Sequence, residues 1–134
     1  MKKVLTNLLM MIAARLLMMV FGTFGIIYST IKLVYQKYKR KEDWSRLARV
    51  YLDAAFGDDQ KGNAIMREPF NDWFLKNKLG RYEYGNPDQT VSHVTGVNEA
   101  KGALTFWGRL LAGILNAIDE DHTKKAKDNP QYNA

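Results

Sequence analysis

No cysteine occurs in the 134 residues, so the fold has neither a disulfide framework nor a thiolate metal site to brace it. A chain this small must rest on helix packing, a membrane or a partner; an oxidising compartment is neither required nor excluded. Acidic residues are scarce beside basic ones, 14 against 20, for a formal net charge of +6. Signature motifs of catalysis are also missing: there is no P-loop, dinucleotide fingerprint, His-Glu-x-x-His pair or EF-hand loop. Nor do glycines flank a serine as in a nucleophile elbow. Ser92 and His93 are adjacent, and neighbouring residues on a helix do not face each other, so His93 reads as a surface or interface side chain. The sequence assigns no catalytic residue, no cofactor and no metal. No internal repeat occurs, and strand-length alternation of Val, Ile and Thr is absent after residue 41, which leaves an all-α fold.

What is present is a long apolar run from Val4 to Tyr35, broken by polar Thr6 and Asn7 and charged Arg15 and Lys32. As a helix it would extend about 42 to 48 Å, more than the roughly 30 Å hydrocarbon core of a bilayer. Lys2 and Lys3 precede it, as in a signal peptide, but basic residues stand at its far end where a small-residue cleavage site belongs. The run therefore reads as a retained single-span anchor. Between Arg15 and Lys32 lie about 16 uncharged residues, slightly short of a typical span; the two bases are expected to snorkel to opposite interfaces. The alternative keeps Arg15 inside the bilayer, paired with another helix. Gly22, Gly25 and Ser29 offer a shallow face to a second copy or another membrane protein. Lys37, Lys39, Arg40 and Lys41 follow at once, with Arg46 and Arg49 beyond. Basic residues so placed favour anionic lipid headgroups as partner over nucleic acid, at about 1 kcal/mol each, and they put the C-terminal part in the cytoplasm.

Three regions result: the anchor and basic run at 1–41, a small helical bundle at 42–123, and a frayed tail at 124–134. The spacing of Trp44, Leu47, Ala48, Tyr51 and Ala55 predicts a helix ending at Gly57, followed by a polar turn over 58–63. A second helix is expected from Phe70 to Leu79 and Gly80, after Pro69. A third, capped by Asp88 or Thr90, should run through Val94 and close at Gly96. In the last, Leu104, Trp107, Leu111, Ile114 and Ile118 mark a stripe at spacings of three and four. Ala103 to Ile118 is short for a second span, which leaves a core helix, or one lying on the membrane surface. The expected core gathers Trp44, Tyr51, Trp73, Trp107, Leu111 and Ile114.

The polar residues Asp59, Asn63, Asp88, Thr90, Ser92, Asp119 and His122 form the candidate cluster. One expectation is structural: helix capping, with Glu120–Lys124 and Asp121–Lys125 pairs on a helix continuing past Ile118. The other is a divalent ion or polar ligand held by the carboxylates and imidazole.

These same positions carry a resemblance. Asp59, Gln60, Gly62, Asn63 and Ala64, then Gly85, Asn86, Asp88, Thr90, Val91 and Ser92, then Ile118, Asp119 and His122 are similar to an ordered pattern in small, largely uncharacterised proteins of tailed bacteriophages and prophages. That pattern reads Asp-Gln-x-x-Asn-Ala, Gly-Asn/Asp-x-Asp-Glu-Thr-Ile-Ser and Ile-Asp-x-x-His. Gln89 stands where the pattern has Glu, and residues 67–84 form an insertion between the first two motifs. The resemblance implies a phage origin and supplies no reaction; joined to the anchor, it leads to the expectation of a phage-type protein of the host inner membrane, or one associated with the virion. It would act by binding: modifying the host envelope, as in superinfection exclusion or lysis control, or assisting DNA entry. The competing expectation is a membrane-tethered, metal-dependent hydrolase built on the Asp and His cluster.

Overall fold

The apolar run forms one helix. In the computed structural model, which describes residues 2–41 and 43–129, α1 (Lys2–Leu17) passes through a π-helical turn (Met18–Gly22) into α2 (Thr23–Arg40) without a break. Lys3–Arg40 is long and apolar enough to cross a membrane, and none of its apolar window is buried. At its end Lys41 turns left-handed, φ 54°, and stops the helix as a C-terminal cap. Basic side chains fold back on rings here, Lys32 over Tyr28, Lys39 over Tyr35 and Lys37 over Trp44.

The helices that follow are α3 (Ser45–Ile65), α4 (Arg67–Trp73), α5 (Val91–Ala100), α6 (Phe106–Ile118) and α7 (His122–Asp128). The fold is all-α: among the described residues the only sheet-like pairing is an isolated bridge between Leu75 and Leu104. Two compact units divide between Ala54 and Ala55, inside α3.

Several expected helix ends move. α3 runs through Gly57 and the polar stretch 58–63, because an interior glycine costs only about 1 kcal/mol and the polar side chains find partners on one face. Gln60 and Asn63, for instance, both donate to carbonyls of the 86–89 loop. α4 ends at Trp73 instead of Leu79. The chain leaves it to pair with the start of α6, where Lys76 N–H donates to Ala103 O and Thr105 N–H to Phe74 O. α5 does not close at Gly96. That glycine lies where α7 crosses, and a Cβ there would sit 2.0 Å from Thr123 O. The tail is helical through Asp128, with Thr123 and Ala126 buried; residues 130–134 lie outside the described set.

The core also differs from expectation. It consists of Leu75, Tyr84, Val91, Val94, Leu104 and Ala112, flanked by Phe70, Phe74, Tyr82 and Leu111. Of the six residues expected to be buried, only Leu111 packs against it; Trp44, Tyr51, Trp73, Trp107 and Ile114 are exposed. On α6 the reason is steric. The helix turns its small residues inward, and Gly108 passes so near Phe74 that a Cβ would approach its carbonyl oxygen to 2.4 Å. Its bulky side chains are left on the outside.

Candidate polar site

Residues 82–89 have no regular structure, so their backbone groups need partners. Three buried asparagines supply them. Asn98 accepts from Tyr82 N–H and donates to Tyr82 O, at 2.9 and 2.6 Å. Asn71 does the same for Tyr84, at 2.8 and 3.1 Å. Asn63, fully buried, accepts from Gly85 N–H and donates to the carbonyls of Asn86 and Gln89, at 2.9, 2.9 and 2.8 Å. A primary amide has the donor and acceptor pair of a peptide group, so each asparagine replaces the strand that the loop lacks. Tyr84 OH meets Thr95 Oγ1 at 2.8 Å, and burial pushes its phenol up to about 12.

Thr90 caps α5, accepting from His93 N–H at 3.0 Å. Two residues on, Ser92 begins a second chain of contacts. Its Oγ donates to Asp59 Oδ2 at 2.6 Å; His122 Nε2 lies 3.1 Å from the same Oγ, and His122 Nδ1 is 3.3 Å from Asp119 Oδ2. Asp119 Oδ1 in turn accepts from Lys125 Nζ at 2.9 Å. α3, α5 and the segment from Asp119 into α7 therefore meet at one serine. Asp121, with φ 57°, makes the turn that brings His122 back. This replaces the expected Glu120–Lys124 and Asp121–Lys125 helical pairs, since α6 ends at Ile118.

The seven candidate residues thus separate. Asp59, Ser92, His122 and Asp119 form one chain of bonds, Asn63 holds the loop, and Thr90 caps a helix. Asp88 is exposed and enters through its backbone: its N–H donates to Asn86 Oδ1 and its carbonyl accepts from Gln60. Asp88 therefore does not share the capping role. His93 is buried instead of at the surface, with Nδ1 3.2 Å from Ala126 O. Among the described residues no three His, Asp or Glu side chains are placed to hold a metal ion.

Serine, imidazole and carboxylate succeed one another here as in an acyl-transfer triad, but the proton points the wrong way. A triad needs the serine O–H to donate to the imidazole, whereas Ser92 has a carboxylate at 2.6 Å to donate to. With that proton committed, Oγ is left to accept from His122 Nε2 when that nitrogen carries a hydrogen. A neutral imidazole carries one N–H and donates to Ser92 or Asp119; an imidazolium donates to both. Ser92 is also only 1% exposed.

Burial raises the Asp59 carboxyl above its ordinary value, while the Ser92 bonds oppose the rise. Asp119 is lowered, first by its bond from Lys125 and then by that to His122. The raised Asp59 binds its proton more tightly folded than unfolded, so its contribution to stability falls as pH rises above the ordinary carboxylate value. Asp119 acts oppositely, its contribution being lost as pH falls through its depressed value. Replacing Asp59 by the neutral Asp59→Asn should therefore gain stability relative to wild type between about pH 4 and pH 7. Denaturant midpoints of the two proteins at both ends of that range check this; a difference independent of pH contradicts it.

Asn71 and Asn98 were not singled out by sequence reasoning: each has an acidic neighbour, Asp72 and Glu99, and nothing local marks either for burial. Compared with family models, curated proteins and solved structures, the chain shows no significant match.

Proposed function

We propose that the chain is a single-span inner-membrane protein of the tailed-phage kind, whose cytoplasmic helical domain acts by binding and not by catalysis. The observation that carries the anchor is the uninterrupted helix Lys3–Arg40 with no part of its apolar window buried. Arg15 and Lys32 bracket its uncharged stretch, and Lys37, Lys39, Arg40 and Lys41 supply an anionic-lipid contact on the cytoplasmic side. Gly25 has open space where a Cβ would stand, while the flexible Met18 side chain lies by Gly22 and would have to swing aside for another helix to approach along Gly22, Gly25 and Ser29. The three ordered motifs that resemble those of phage proteins motivate a role at the host envelope, either superinfection exclusion or lysis control, or a virion-associated role in DNA entry.

Binding is favoured over a metal-dependent hydrolase because Asp88, whose carboxylate such a site would bring together with Asp59 and His122, is exposed and bonds through its backbone, and Ser92 is buried with its proton donated to Asp59. The full-length protein in mild detergent should leave Ser92 unlabelled by a fluorophosphonate, and Ser92→Ala should lose biological activity only as far as it loses stability. Labelling at Ser92 would make it a nucleophile and overturn a pure binding role, and a rise in melting temperature with Mn²⁺ that disappears in Asp59→Asn would put the metal-dependent hydrolase first.

A further inference from the structure

On α6, Phe106, Trp107, Leu110, Ile114 and Ile118 are all exposed, Trp107 to 57% and Ile118 to 80%. With 3.6 residues per turn they cover, together with Gly113 and Ala117, about 140° of the helix surface without a charge. The opposite side, Gly108 and Ala112, is buried. A helix apolar on both sides belongs inside a protein or against lipid, and α6 presents its outer side uncovered. At 13 residues it is about 20 Å long, too short to cross a hydrocarbon core of roughly 30 Å. It can only lie along a surface.

The surroundings identify that surface. Thr105 Oγ1 donates to Trp73 O, which ties a second exposed tryptophan to the start of α6. Beside it Lys76 Nζ and Lys101 Nζ donate to backbone carbonyls of Gly102 and Gly80 and Lys78 is exposed nearby, as is Arg109 on the helix itself. Asp119 to Asp121 stand at the far end, where Asp119 is bridged to Lys125. One end is thus aromatic and basic, while at the other the carboxylates are offset by Lys124 and Lys125; the first end suits an anionic lipid surface, with tryptophan rings at headgroup depth and ammonium and guanidinium groups on phosphates.

We infer that the outer face of α6 docks on the anionic surface of the bilayer that holds the anchor, giving the chain a second, peripheral membrane contact. This rests on the single-span reading above, because the anchor keeps that bilayer in constant reach. Full-length protein carrying Trp44→Phe and Trp73→Phe, with Trp107 as sole reporter, is reconstituted into vesicles of phosphatidylcholine and phosphatidylglycerol. Trp107 emission is expected to be quenched by lipids brominated near the headgroup and shielded from aqueous acrylamide. Leu110→Glu with Ile114→Glu should reverse both effects with the helical circular dichroism unchanged. Trp107 open to acrylamide and untouched by bromolipid overturns the inference; shielding without bromolipid quenching also overturns it and assigns the face to a second copy. Alkaline carbonate extraction of the same vesicles separates the two readings. Protein that stays in the pellet while Trp107 remains water-accessible sinks only the docking, whereas protein that washes off sinks the anchor as well.

Discussion

Asn63→Ala should destabilise the helical domain by about 2 kcal/mol or more, since each buried polar group left without a partner costs about 1–3 kcal/mol. Two are orphaned at once, Gly85 N–H and the Gln89 carbonyl, while the Asn86 carbonyl loses Asn63 but keeps Gln89 N–H. The unit that contains them is Ala55–Ala134, and a domain of that size has on the order of 4–12 kcal/mol in total. One side chain thus supports a large share of the fold. Asn63→Asp should fare little better: the carboxylate still accepts from Gly85 but presents oxygen, not N–H, to two carbonyls. Gln60→Ala, which removes a single bond to Asp88 O, is the control and should cost under about 1 kcal/mol. Denaturant unfolding of the three variants measures the order. Asn63→Ala no worse than Gln60→Ala would contradict the loop-clamp account.

Gly96→Ala should lower the melting temperature, although alanine is the better helix former by about 1 kcal/mol. The added Cβ would lie 2.0 Å from Thr123 O and 2.8 Å from Thr123 C. Those are backbone atoms, which no rotamer change relieves, so α7 must move away from α5. Overpacking of this kind costs about 1–3 kcal/mol, occasionally more, and exceeds the propensity gain. Displacing α7 also pulls His122 from Ser92 and Thr123 from Glu99, whose carboxylate accepts from Thr123 Oγ1 at 2.7 Å. Gly113→Ala provides the opposite sign. Nothing lies within 4 Å of the point where its Cβ would stand, so the helix should gain about 0.5–1 kcal/mol. A melting temperature that rises in both variants would show that α5 and α7 do not cross so closely.

What the sequence revealed follows from which physical signals are local. Helical class and the long N-terminal apolar helix were legible because apolar periodicity and a long apolar run are properties of consecutive residues. The polar cluster was legible in part: Asp59, Ser92, Asp119 and His122 do converge, while Asp88 does not join them through its side chain. Their partners were not legible, because His122 reaches Ser92 only after the left-handed turn at Asp121, a choice no spacing rule registers. Gly57 and Gly96 misled for a related reason. Glycine reads as a stop, yet in α3 it is simply tolerated and in α5 it admits a neighbouring helix. The misplaced core has the same origin: Trp107 and Ile114 mark the more apolar side of α6, but close packing selected the side with Gly108 and Ala112. Burial followed shape there, and the larger side chains were left outside.

Since the chain has no cysteine of its own, a single introduced thiol reports topology without background. Lys3→Cys and Lys124→Cys place one thiol on either side of the anchor, both at exposed positions. In intact bacterial cells expressing the protein and made permeable only at the outer membrane, a membrane-impermeant maleimide should label Lys3→Cys and leave Lys124→Cys unmodified until the cells are lysed. Labelling of Lys124→Cys in intact cells, or of neither position before lysis, would contradict a single-span protein with its helical domain in the cytoplasm.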